Sequence, residues 1–322
     1  PVEINGVPAE CDAEWQASSS SGDGASHDRI RCEDAVRRVS QRFLSVVRST
    51  IETFDMHTTF TRAARCCLAS VLLLSGLSAQ GAEARGEMKR VVAGQRLHYL
   101  LHTPIGEKPT TGWPLLLFLH GYGECGSDLD KVKKHGPPKL VDTNATLQGC
   151  VLVSPQCPRD SWWRVATLHA LLEEVISNRG DIDRRRLYVT GLSMGGYGIW
   201  SLISRHPSYF AAVVPICGGG DPLRLPANRP PVKVGIKNEF DPIGLNRARK
   251  LPVWTFHGSR DGSVPIGETQ LLVRSLKAAG SDQVRFTVYP RAGHVEAWQR
   301  AYRDPKVWKW LFAQRATPPR TE

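Results

Sequence analysis

Two kinds of hydrophobic pattern alternate along the C-terminal three quarters of the chain. Short, nearly unbroken apolar runs, such as LLLFL at 115–119, are typical of strands covered on both faces. Between them, apolar residues recur at helical spacing, as in 166–177, where Gly180 ends the pattern. This alternation predicts an α/β fold with a mainly parallel central sheet and helices on both faces. The predicted strands span 95–102, 114–120, 150–155, 186–190, 211–217, 252–257 and 284–289. The predicted helices span 166–177, 194–205, 268–279 and 297–314, the last interrupted by Pro305.

Two regions depart from this pattern. Residues 221–250 contain five prolines and several arginines, which predicts an insertion of loops and short elements between two core strands. Residues 1–55 show no sustained periodicity and include the small, polar stretch SSSSGDGAS, which predicts a disordered or non-native extension.

Residues 56–84 have the three parts of a signal peptide. A methionine and two arginines precede an apolar run at 66–77, and Ala82-Glu83-Ala84 supplies a small-x-small cleavage site. The apolar run is too short to span a membrane, so the pattern predicts a secreted or periplasmic protein whose mature domain is 85–322. A buried apolar helix inside a longer domain is the alternative interpretation.

Charge is distributed unevenly along the 322 residues. Residues 85–322 contain 34 basic and 20 acidic residues, whereas the first 84 contain 8 and 11. The basic residues are scattered, and no nucleic-acid-binding motif accompanies them. The charge therefore predicts a solvated basic surface and no nucleic-acid partner.

Four of the eight cysteines lie in the predicted mature domain: Cys125, Cys150, Cys157 and Cys217. An oxidising compartment would permit disulfides among them, but the sequence does not choose between the pairings. Buried free thiols are an equal alternative. No cysteine or histidine spacing resembles a zinc site.

The strongest chemical signal is Gly191-Leu192-Ser193-Met194-Gly195, which lies between a predicted strand and a predicted helix. In this context the pattern is typical of a nucleophile elbow, which lifts a serine hydroxyl out of the sheet on a strained turn. We therefore predict that Ser193 is a catalytic nucleophile.

A serine nucleophile needs a base and an acid, which follow it in the chain order Ser, Asp or Glu, His. Asp261 follows the predicted strand 252–257, and His294 follows the predicted strand 284–289. Open α/β sheets carry their active sites at such strand ends. We therefore predict that His294 is the general base and that Asp261 orients it. Asp241, Asp221 and Asp282 also follow the serine but have no comparable placement.

The remaining predictions concern substrate contacts. The backbone N–H of Met194, together with that of Tyr122 in the loop after strand 114–120, is predicted to form the oxyanion hole. Trp162 and Trp163 follow another strand, and either line the substrate cleft or cap the core.

Five blocks along residues 90–315 resemble those of bacterial secreted α/β-hydrolases: LFLHGYGECGSD, SPQCPRDSWW, YVTGLSMGGYGIWSLISRHPSYFAAVVPICGGGD, PVWTFHGSRDGSVP and YPRAGH. This group is often labelled "predicted peptidase" and is similar to feruloyl esterases, acetylxylan esterases and polyhydroxybutyrate depolymerases. The resemblance implies hydrolysis of small-molecule or polymer-linked esters with no metal or organic cofactor. It assigns Ser193, Asp261 and His294 to the triad, and Tyr122 and Met194 to the oxyanion hole.

The sequence leaves three functions open. A serine carboxylesterase for short-chain or aromatic acyl esters is the leading hypothesis. A serine peptidase of prolyl-oligopeptidase type would carry the same motifs. A non-catalytic binding protein could keep the scaffold, but such proteins usually lose a catalytic residue, and all three are present here.

Overall fold

The computed structural model describes residues 82–222 and 238–316. The predicted extension at 1–55, and residues 56–81 of the predicted signal peptide, lie outside these ranges. In the described part, eight strands form one sheet in the order β1-β2-β4-β3-β5-β6-β7-β8. They are β1 Ala82–Glu87, β2 His98–Thr103, β3 Trp113–Leu119, β4 Val151–Gln156, β5 Ile182–Leu192, β6 Ala212–Ile216, β7 Val253–Gly258 and β8 Val284–Tyr289. β2 is antiparallel to its neighbours β1 and β4, and the other neighbouring strands pair in parallel.

The predicted strands all appear, with shifts of a few residues at most of their ends. The central strands β3 and β4 are buried along their whole length, which explains their unbroken apolar sequences. The sequence analysis missed β1, whose sequence AEARGE has no apolar pattern because it forms an edge strand. Its residues Ala82–Ala84 pair with Leu101–Thr103, so β1 includes the predicted cleavage site.

Seven α-helices are present in the described ranges: α1 Gly136–Leu140, α2 Ala145–Gln148, α3 Val165–Arg179, α4 Met194–Arg205, α5 Ile266–Ala278, α6 His294–Arg303 and α7 Pro305–Ala313. The helical region predicted for 297–314 is present as two helices, α6 and α7, which the predicted interruption at Pro305 separates; α6 begins three residues earlier than predicted. Asp304 divides them by accepting a hydrogen bond from Lys306 N–H at 2.9 Å, and Pro305 takes the first position of α7. None of the helices in the described ranges has the length and apolar character needed to cross a membrane.

The core has two halves, one on each face of the sheet. Leu115, Leu117 and Leu119 point into one half, where α3, α4 and α5 pack. Leu116 and Phe118 point into the other half, where α6 and α7 pack. Because side chains alternate along a strand, the apolar run of β3 supplies both halves. The predicted α/β-hydrolase architecture, with helices on both faces, is confirmed.

The structure also describes part of the predicted insertion and the cysteines. The C-terminal end of the insertion forms a short 3-10 helix, Gly244–Lys250, whereas 223–237 lies outside the described residues. The four cysteines of the predicted mature domain are free thiols; Cys125 is partly exposed and the other three are buried.

Candidate active site

Ser193 lies on a sharp turn between β5 and α4. Its φ and ψ angles are 54° and −117°, a conformation that non-glycine residues rarely adopt. The glycines on either side are needed because the backbones are close. A Cβ atom at Gly195 would lie 1.9 Å from the carbonyl oxygen of Leu119, and one at Gly191 would lie 2.6 Å from the same atom. The sequence therefore folds into a turn that exposes the serine hydroxyl above the end of β3.

His294 and Asp261 converge on this serine from two other loops. His294 is the first residue of α6, and its Nε2 atom lies 2.8 Å from Ser193 Oγ. Its Nδ1 atom lies 2.6 Å from Asp261 Oδ2. The structure thus brings together three side chains that the sequence places after β5, β7 and β8.

Asp261 is held by a dense set of donors. Its Oδ1 atom accepts hydrogen bonds from the N–H groups of Ser263 and Val264, at 2.8 and 2.9 Å. Its side chain is fully buried. Burial alone would raise the pKa of Asp261, but hydrogen bonds from His257, His294 and Val264 outweigh it and hold the pKa well below its usual range. Asp261 is therefore a carboxylate at neutral pH.

His257 contacts Asp261, and the sequence did not predict this residue to be part of the site. It is fully buried at the end of β7, and its Nε2 atom lies 3.2 Å from Asp261 Oδ2. Its Nδ1 atom lies 2.8 Å from the hydroxyl of Thr269, which donates to the carbonyl oxygen of Gly218. His257 thus connects the aspartate to the protein interior and helps to fix its orientation.

His120 supports the loop that carries Tyr122. Its Nε2 atom accepts a hydrogen bond from Cys157 N–H at 2.9 Å, so its proton is on Nδ1, which donates to Gly121 O at 2.6 Å. The bond to Nε2 needs a neutral ring, and burial lowers the pKa of His120 to about 4. These contacts give His120 a structural role.

The two predicted oxyanion donors occupy equivalent positions. Tyr122 begins the 3-10 turn Tyr122–Glu124, and Met194 begins α4. The first N–H groups of a helical segment have no acceptor within that segment, so both can face a ligand. Both residues line a cavity of about 400 Å³ that also contains Ser193 and His294.

The adjacent tryptophans have different surroundings. Trp162 lines the cavity and packs edge-on against Tyr197, with ring centroids 5.9 Å apart. Trp163 does not line it; this side chain is 1% exposed and its indole N–H donates to His120 O at 3.2 Å. Both tryptophans therefore pack in the core, and Trp162 alone also forms part of the cavity wall.

The cavity wall also has a polar patch that sequence reasoning missed. Glu124 Oε1 lies 3.8 Å from His135 Nε2, and both residues line the cavity. Burial raises the pKa of Glu124, and burial together with Lys139 and Lys134 lowers the pKa of His135. The motif that contains Tyr122 also contains Glu124, but only the folded loop shows that this side chain turns toward the cavity.

Among the described residues, Cys217, Asp261 and His294 form a group of potential metal ligands, with their ligand atoms within 4.8 Å of one another. Two of the three are already hydrogen-bonded to each other, and that pair continues to Ser193. The arrangement therefore has the geometry of a proton-transfer chain that ends at a hydroxyl nucleophile.

Comparisons with known proteins find similarity to hydrolases. Residues 164–306, which contain Ser193, Asp261 and His294, match the Dienelactone hydrolase family. A poly(3-hydroxyoctanoate) depolymerase of Pseudomonas fluorescens is 25% identical over 254 residues, covering 69% of this chain and 81% of that protein.

Solved structures extend the likeness. A thermostable esterase is 29% identical with a TM-score of 0.55, covering 72% of this chain and 63% of that one. The chain thus spans less than two thirds of that esterase. An acylaminoacyl peptidase is 17% identical with a TM-score of 0.55. That match covers 79% of this chain and 44% of the peptidase, and it shows a likeness of fold alone.

Proposed function

We propose that this chain, an α/β-hydrolase of the carboxylic-ester hydrolase group, cleaves short-chain or aromatic acyl esters through an acyl-serine intermediate on Ser193. One observation carries the proposal. A continuous hydrogen-bonded chain runs from Ser193 Oγ through His294 to Asp261 Oδ2, with steps of 2.8 and 2.6 Å, beside an open cavity.

The direction of proton transfer follows from the acceptors. Asp261 is a carboxylate, so Nδ1 of His294 holds the proton and Nε2 is left as the base. Nε2 takes the proton of the Ser193 hydroxyl while Oγ attacks the ester carbonyl carbon. The imidazolium then gives that proton to the departing alkoxide. Water repeats both steps on the acyl-serine, releasing the carboxylic acid and restoring the serine.

The N–H groups of Tyr122 and Met194 are assigned to the developing oxyanion. Each begins a helical turn on the rim of the cavity, where a fixed dipole can stabilise negative charge without reorganising. Loss of one such donor typically costs about 3–4 kcal/mol of transition-state stabilisation.

The cavity supports a compact substrate. Its volume of about 400 Å³ is in the lower part of the range for small-molecule pockets, about 300–1,000 Å³. Trp162, Tyr197 and Trp298 give it an aromatic wall. These features favour a short or aromatic acyl group over a long aliphatic one.

Two serine substitutions test the proposal. Ser193→Ala should lower kcat on p-nitrophenyl acetate and butyrate by about 10⁶-fold, the size of the loss when a triad nucleophile is removed. Ser263→Ala is the matched control, because Ser263 lines the same cavity but its side chain has no assigned role. Activity of Ser193→Ala equal to that of the control would refute the proposal. A panel from acetyl to long acyl esters, with methyl ferulate, would then define the acyl preference.

Polymer-linked esters are a second candidate substrate. The similarity to a poly(3-hydroxyoctanoate) depolymerase supports this possibility. Release of soluble acids from a polyester film, compared with turnover of a monomeric ester, would test it. A film left intact by an enzyme that cleaves the monomer would restrict the function to small esters.

The peptidase and binding-protein alternatives are tested with two further reagents. Turnover of a matched ester and amide separates esterase from peptidase, because both substrates share the acyl group. A fluorophosphonate probe should label Ser193 in the folded protein, and failure to label it would favour a binding protein.

We also propose that the chain is exported through a signal peptide at 56–84. N-terminal sequencing of the protein recovered from the periplasm or medium should begin near residue 85. A mature protein that retains residues 56–84 would contradict this proposal.

A further inference from the structure

Two thiols lie next to the loop that carries Tyr122. Cys125 follows directly after the 3-10 turn Tyr122–Glu124, and its N–H donates to Tyr122 O at 3.2 Å. Cys157 follows directly after β4. Both thiols are free, and the nearby Cys125 thiol raises the pKa of Cys157.

The backbone around these thiols is already held together. Gln156 Nε2 donates to Glu124 O at 2.8 Å and to Asp128 O at 2.7 Å. Between these two bonds, Gly126 N–H donates to Cys157 O at 2.9 Å. The segments 124–128 and 156–157 therefore run side by side in a fixed register, with a cysteine on each.

We propose that Cys125 and Cys157 form a redox site that closes to a disulfide when a disulfide oxidant is supplied. The oxidant belongs to the class of small-molecule disulfides or thiol–disulfide oxidoreductases. In the first step one protein thiol attacks the oxidant, forming a mixed disulfide and releasing one reduced thiol. In the second step the other protein thiol attacks the mixed disulfide, forming the protein disulfide and releasing the second reduced thiol.

Exposure and acidity determine the order and rate of the two steps. Cys125 is partly exposed and Cys157 is buried, so Cys125 meets the oxidant first. The neighbouring Cys125 thiol and burial raise the pKa of Cys157 well above its usual range. Because the thiolate is the attacking species, the second step should be slow at neutral pH and faster as the pH rises.

The cross-link would strengthen a support that already exists. Cys157 N–H holds the His120 ring, and that ring holds Gly121, the residue before Tyr122. A covalent bond from Cys125 to Cys157 would close the other side of the same loop. It would also close the long loop from 125 to 157, so the thermal midpoint should rise by about 5–10 °C.

The experiment uses the full chain, reduced and then incubated with oxidised glutathione at about pH 8.5, where thiolate is available. Trypsin should release residues 97–131, which contain Cys125, and residues 140–159, which contain Cys157. The second peptide also contains Cys150, a buried thiol that donates to Leu147 O. Cys150→Ser is therefore the matched control, and fragmentation of the wild-type peptide pair gives the same assignment if that variant does not fold.

The expected result is a linked peptide pair two hydrogens lighter than its reduced components, formed in both wild type and Cys150→Ser. Its appearance should coincide with the higher thermal midpoint, and Cys125→Ser should show neither. Cys125 that carries glutathione indefinitely, or that links to another cysteine, would overturn the proposal. These measurements do not use hydrolysis, so they stand or fall independently of the proposed esterase function.

Discussion

Substitution of Gly195 by alanine tests the close approach at the serine turn. The new Cβ would lie 1.9 Å from Leu119 O and 2.9 Å from His120 O, whereas real Cβ contacts essentially never fall below 3.0 Å. The N-terminus of α4 and the end of β3 must therefore separate by about 1 Å, since both neighbours are backbone atoms that cannot change rotamer. That separation would shift Met194 relative to Tyr122.

The loss of stability and the loss of activity in Gly195→Ala can each be estimated. Overpacking of a rigid site costs typically about 1–3 kcal/mol, so the thermal midpoint should fall by roughly 2–12 °C for a domain of this size. A misplacement of about 1 Å at the reacting centre costs about 100-fold in rate. Midpoints from circular dichroism and kcat/KM on p-nitrophenyl butyrate would measure both effects.

Gly267→Ala is the matched control for this prediction. Gly267 lies in α5, and a Cβ there would meet nothing within 4 Å. Alanine is favoured over glycine in helices by up to about 1 kcal/mol, so this variant should be as stable as wild type or more so, with unchanged activity. If Gly195→Ala had the same thermal midpoint as this control and a kcat/KM within about threefold of it, tight packing would not be the reason for glycine at 195.

Three further predictions follow from the site. Asp261→Asn should lower kcat by about 10⁴-fold with little change in KM, because the imidazole loses the partner that fixes its tautomer; steady-state kinetics would show an equal loss of kcat and kcat/KM. The folded-state pKa of Asp261 is depressed, so the ionised carboxylate stabilises the fold fully above its ordinary pKa near 4. This stabilisation is lost as the pH falls toward the folded-state pKa, and the acid-unfolding curves of wild type and Asp261→Asn should converge at low pH. His120 has a folded pKa of about 4 against an ordinary value near 6.5, so the free energy of unfolding of the wild type should fall by about 3 kcal/mol as the pH falls through that window. His120→Gln should flatten this pH dependence in urea unfolding, and an unchanged slope would contradict a neutral, buried His120. Trp162→Ala should raise KM for aromatic esters several-fold, because this ring lines the cavity. Trp163→Ala should lower the free energy of unfolding by about 3–5 kcal/mol and leave KM unchanged, and a rise in KM in this variant alone would exchange their roles.

The hydrophobic pattern predicted the core of the fold well, because the central strands are buried on both faces. β8 and α4 have the predicted bounds, since their ends carry clear signals in the sequence. β1 has no such signal because it is an exposed edge strand of mixed polarity. The two short helices α1 and α2 were also missed, because they are too short to establish a helical period.

The candidate site shows a similar division. Ser193 could be predicted from its motif between a strand and a helix. Asp261 and His294 could be predicted from strand ends and chain order, because parallel strands bring their C-terminal ends to one edge. The contact from His257 to Asp261 and the turn of Glu124 toward the cavity depend on loop conformation, which leaves no periodic signal. The different environments of Trp162 and Trp163 depend on the same kind of local backbone path.

The position of β8 at the edge of the sheet has a consequence for folding. The proposed nucleophile follows β5 near the middle of the sheet, but the proposed base follows β8, which pairs only with β7 in the described sheet. A chain in which β8 has not yet docked would have the serine turn but no imidazole to activate it. During refolding from denaturant, hydrolysis would therefore recover only in molecules in which β8 has docked.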